Sequence, residues 1–96
     1  MLTRQQYLEK LEKLIQAIYK CGAVHRETLY VTDWVEGMFV WLGDVELFEL
    51  RGHPEAKRCY AWREGGTGEK GEKWLAILEL PPVNSPLAAV KSSRER

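Results

Sequence analysis

From Thr28 to Leu50 the chain reads TLYVTDWVEGMFVWLGDVELFEL, dense in β-branched, aromatic and apolar residues and split once by Glu36-Gly37. Such runs predict two strands joined by a tight turn, since glycine tolerates the positive φ a short hairpin needs. In Ala23–Val35, Val24, Thr28, Tyr30 and Trp34 alternate with His25, Leu29, Val31 and Val35. Both parities carry apolar residues between about 29 and 35, which predicts at least partial cover on both faces. Met38–Leu50 is long for a single strand. Gly43-Asp44 in its middle predicts a bulge or sharp bend, or else a tight turn between two short strands.

Before this stretch, Leu8, Leu11, Ile15 and Ile18 form one stripe at helical spacing, widened by Tyr7, Leu14 and Cys21. Thr3 and Gln6 have the form of a capping box, and Gly22 fits a left-handed stop, so a helix is predicted over 3–21. Glu9 precedes Lys13 by four residues, the favourable order for a surface ion pair. After the long hairpin, Lys57–Glu64 reads as a third strand with Arg58, Tyr60, Trp62 and Glu64 on one side and Cys59, Ala61 and Arg63 on the other. Glu72–Leu80 reads as a fourth, with Trp74, Ala76 and Leu78 opposed to Leu75 and Ile77. Between them GGTGEKG predicts a mobile hairpin tip. It lacks the Gly-Lys-Ser/Thr and following helix of a phosphate loop. Ser85 and Pro86 suit the cap and first position of a short helix over 85–91, followed by a frayed tail over 92–96. The expected fold is α+β in a single domain, 1–96. An N-terminal helix packs on a four-stranded antiparallel meander over 24–80, closed by the short C-terminal helix.

The 96 residues carry 14 basic and 14 acidic side chains, so no net field draws in nucleic acid or an acidic membrane. Nor does net charge oppose self-association. No apolar run reaches membrane-spanning length and the N-terminus has no signal-peptide core, so a cytoplasmic protein is expected. Cys21 and Cys59 have no second Cys or His at ligand spacing and are expected to be buried and inert, with no metal and no cofactor.

Trp34, Trp41, Trp62 and Trp74 all fall in predicted strands, more aromatic surface than two helices can cover. An exposed aromatic patch marks a partner or ligand surface, and symmetry favours a homodimer, with a protein or small molecule as further occupants. Other classes rest on fewer residues. His53, near Arg51, Glu55 and Arg58, is the candidate for a small enzyme acting with a carboxylate, although no activated nucleophile accompanies it. Arg58, Tyr60, Trp62 and Arg63 interleave charge with rings as a single-strand nucleic-acid binder does, diluted by Glu55 and Glu64.

The element order resembles the double-stranded RNA-binding domain. Its basic cluster at the last helix is replaced here by Pro86-Leu87-Ala88-Ala89, so the resemblance carries no function. A second resemblance rests on Trp34-x-x-Gly37, Val40-Trp41-x-Gly43-Asp44-Val45-Glu46, Gly52-His53-Pro54-x-Ala56, Cys59-Tyr60-Ala61-Trp62, Pro81-Pro82-Val83-x-Ser85-Pro86 and Ala89-Val90-Lys91. Over about residues 34–91 the chain resembles short uncharacterised bacterial proteins, some carried on integron-type gene cassettes. That resemblance implies a cytoplasmic accessory protein and transfers no functional residue.

Overall fold

The structure, a computed structural model, describes residues 2–65 and 72–94. The glycine-rich hairpin tip, apart from Gly65, and the last two residues of the expected frayed tail lie outside the described residues. The elements are α1 (Arg4–Tyr19), β1 (Gly22–Val35), β2 (Met38–Arg51), β3 (Arg58–Glu64), β4 (Lys73–Leu78) and α2 (Pro86–Arg94). The four strands form one antiparallel sheet in the order β1-β2-β3-β4, the meander expected from the short connections.

Helix α1 starts as its capping box dictates. Thr3 Oγ1 accepts the Gln6 N–H at 3.1 Å and Gln6 Oε1 accepts the Thr3 N–H at 2.9 Å. It stops earlier than expected, and not at glycine. Lys20 adopts the left-handed conformation (φ 59°) and donates its N–H to the Gln16 carbonyl, while Gly22 opens β1. Glu9 does not pair with Lys13; its carboxylate takes the Gln5 amide instead.

Glu36 (φ 52°) and Gly37 (φ 80°) make the two-residue turn between β1 and β2, both in the positive-φ region that a twisted hairpin requires. Gly43-Asp44 is neither bulge nor turn, because Val31 pairs with Gly43 and Tyr30 with Asp44 in unbroken register. The irregularities fall at Arg26 on β1 and Val40 on β2. The glycine answers to packing. A Cβ on Gly43 would stand 3.2 Å from Cη2 of Trp41, so the indole lies along the strand over the bare backbone.

Each face of the sheet carries its own core. On one, Leu11 and Ile15 of α1 meet Ala23, Phe48, Leu50, Cys59, Ala61 and Ala76. On the other, Ala89 and Val90 of α2 meet Val31, Val45, Leu47, Tyr60 and Trp62. The alternation expected for β3 and β4 assigns their residues to these faces. Helix α2 begins with Ser85 Oγ accepting the Ala88 N–H at 3.1 Å. It continues through Arg94 rather than fraying after 91. Arg94 ion-pairs with the buried Asp33, and Lys91 Nζ lies 3.9 Å from the same carboxylate. This anchors the last turn of α2 to β1.

Cys21 and Cys59 are free and buried. Burial, with a smaller contribution from the neighbouring Cys21, pushes the Cys59 thiol from its ordinary value near 9 up to about 12. Burial also raises Tyr60, as does its hydrogen bond to Glu79, and Tyr7 is raised by burial. Between pH 9 and 12 the unfolded chain has lost the Cys59 proton and the native chain keeps it. The native state therefore binds more protons, and stability falls as pH rises, by up to about 1.4 kcal/mol per pH unit for one group. Denaturant titrations across that range should show a shallower decline for Cys59→Ala than for the parent protein. Equal slopes would mean that the thiol titrates freely.

Candidate functional site

Strands β1 and β2 run together for fourteen residues each, but β3 has seven and pairs with β2 only from Glu46 to Glu49. Beyond Glu46 the β1–β2 hairpin continues as a two-stranded arm. One hydrogen-bonded group spans the gap where β2 and β3 part. Glu64 Oε2 on β3 accepts the indole N–H of Trp62 at 2.8 Å and that of Trp41 on β2 at 2.9 Å. The two indoles meet edge to face at 6.1 Å.

The arm is lidded on one face only. Val31, Asp33, Trp41 and Val45 lie under α2. On the opposite face Thr28, Tyr30, Thr32 and Trp34 follow each other along β1, across from Glu46, Asp44, Leu42 and Phe39. Helix α1 reaches only the first of these pairs. Arg4 hydrogen-bonds Thr28 and lies 3.3 Å from the fully buried Glu46, whose Oε1 also takes Thr28 Oγ1 and sits 2.8 Å from His25 Nε2. Past that polar group Tyr30 is 68% exposed, Trp34 54%, Phe39 51% and Leu42 53%. Val35, Met38 and Val40 continue the apolar surface around the tip. Trp34 and Phe39 pack on each other across the strands, ring centroids 3.7 Å apart.

The residues singled out in the sequence scatter over the molecule. Trp34 alone lies on the bare face. Trp41 is half-buried and held by Glu64. Trp62 is fully buried, and Tyr60 is buried with its hydroxyl bonded to Glu79. Neither ring offers a face for a base to stack on, which removes Arg58, Tyr60, Trp62 and Arg63 as a single-strand binding set. Arg58 pairs with Glu79 at 3.6 Å and lines, with Arg26, Glu27, Leu47 and Glu49, a hollow of ≈ 460 Å³ of mixed charge. His53 builds its own loop. Its Nδ1 accepts the N–H groups of Glu55 and Ala56 at 3.0 and 2.9 Å, and its ring meets Tyr19 edge-on. With that nitrogen committed to the backbone, His53 is a turn-former rather than a base beside a substrate.

Sequence reasoning passed over Tyr30, Phe39, Leu42 and Met38. The signal was in the strand lengths: a third strand half as long as the second cannot flank all of it. Among the described residues no group of three or more His, Cys, Asp or Glu is placed to hold a metal ion, and no helix is long and apolar enough to cross a membrane. Comparison with family models, with curated proteins and with solved structures finds no match to this chain.

Proposed function

We propose that this protein is a non-catalytic α+β binding module that works as a cytoplasmic homodimer, with the bare face and tip of the β1–β2 arm as its association surface. One observation carries this. Seven apolar side chains, three of them aromatic, are exposed together on the arm: Tyr30, Trp34, Phe39 and Leu42 on the bare face, with Val35, Met38 and Val40 at its tip. An aromatic residue buries about 150–250 Å² when covered. With about half of each side chain showing, the seven offer roughly 700 Å², near the ~800 Å² each partner gives to a standard interface. The balanced charge of the chain supplies no long-range repulsion against a second copy. A gene-cassette origin, carried only by the sequence resemblance, would suit such an accessory protein.

Sedimentation velocity at tens of micromolar should give a dimer. Trp34→Asp combined with Phe39→Lys should give a monomer of unchanged far-ultraviolet circular dichroism, because both side chains are solvent-exposed in the single chain. A parent protein that sediments as a monomer throughout would overturn the proposal.

A further inference from the structure

Resting on the homodimer, we propose that the second copy joins along the free edge of β1, antiparallel about a two-fold axis at Val31, so that the two sheets become one. Strand β1 stands first in the sheet order, with no strand on its outer side among the described residues. Natural edges of this length are guarded by charged side chains, lysine above all, by proline or by bulges. Gly22–Val35 contains neither lysine nor proline. Its bulge at Arg26 lies near one end, beside His25 and the charged Glu27, and past Glu27 its one charge, Asp33, is buried against Arg94. From Glu27 to Val35, between the bulge and the hairpin turn, β1 has no extra residue, the second irregularity being Val40 on β2, and it carries Leu29, Tyr30, Val31, Trp34 and Val35. Val31 is the midpoint of that run, and a two-fold contact sets the same segment against itself.

This register makes two further matches. It sets Tyr30 across from the partner's Thr32, Leu29 from the partner's Asp33, and Glu27 from the partner's Val35, with no like charges opposed. Just beyond that run, Arg26 in the bulge comes near the partner's Glu36 in the turn, twice by symmetry. Both residues are exposed, and neither forms an ion pair within its own chain among the described residues. The same register puts Trp34 beside the partner's Thr28, one strand spacing (about 4.8 Å) away. Within each chain Thr28 is where Arg4 of α1 rests. The start of the second copy's helix therefore comes over the ring that its own helix leaves bare.

Two measurements on the full chain test the pairing. In the dimer, amide exchange followed by nuclear magnetic resonance should be slow at every residue from 27 to 35. In the Trp34→Asp, Phe39→Lys protein it should alternate between slow and fast, as for a strand bonded on one side. Arg26→Glu and Glu36→Arg should each weaken dimerisation about tenfold, since two charge contacts between the copies turn from attractive to repulsive, and the double variant should restore it. An alternating pattern in the dimer, or indifference to the charge swaps, would overturn edge pairing while leaving the homodimer standing. A monomeric parent protein would overturn both.

Discussion

Trp62→Ala is expected to cost about 3–5 kcal/mol of unfolding free energy, the largest single loss available in this fold. Trp62 is the bulkiest fully buried side chain, and it stands where the two halves of the sheet diverge. Truncation removes the indole from the core under α2 and opens a cavity that Ala89, Val90 and Val45, all backed by ordered elements, cannot fill. It also removes one of the two N–H groups on Glu64 and the ring on which Trp41 rests, so the arm loses part of its hold on β3. For a domain whose total stability falls at about 5–15 kcal/mol, such a loss leaves a substantial unfolded population. Urea denaturation followed by circular dichroism measures it, with Trp34→Ala as the control that removes an indole from solvent rather than from the core. If Trp62→Ala cost under about 1 kcal/mol, the α2 side would be loosely packed and the arm could not be treated as a rigid extension of the sheet.

Most of the fold is legible in the residues because its signals are local. The capping box, the two-residue turn at Glu36-Gly37, the alternation of β3 and β4 and the Ser85-Pro86 helix start each depend on neighbours within four positions. What escaped depends on contacts between distant segments. Gly43 reads as a break until the Trp41 ring is seen lying over it. The indole contacts on Glu64 join residues 23 positions apart and exist only because β2 and β3 separate. His53 has the sequence context of a loop histidine, and only the folded loop shows its Nδ1 bound to two backbone groups. The candidate surface was half legible. The excess of strand aromatics over helical cover was visible, but its place was not. Burial takes Trp62 and Tyr60 away and leaves Trp34 with Tyr30, Phe39 and Leu42, because the length mismatch between β2 and β3 decides which aromatics are covered.

The polar group at the base of the bare face should respond asymmetrically to truncation. Glu46 is fully buried while its partners reach water: the Arg4 side chain is 56% exposed and that of His25 26%. Arg4→Ala leaves a buried carboxylate served only by His25 and Thr28. Breaking a buried pair from one side costs about 3–5 kcal/mol when nothing else compensates. With the two remaining partners the expected loss is about 2–3 kcal/mol. Glu46→Leu removes the buried charge itself, fills the space with apolar atoms beside Phe48, and lets Arg4 turn to solvent, so its cost should stay below about 1 kcal/mol. The double variant should then be no less stable than Arg4→Ala alone and should recover most of its loss, a coupling that a double-mutant cycle reads directly. If Glu46→Leu proved as damaging as Arg4→Ala, the carboxylate would be an essential tether of α1 to the sheet, and the start of that helix, where the arm's cover ends, would depend on it.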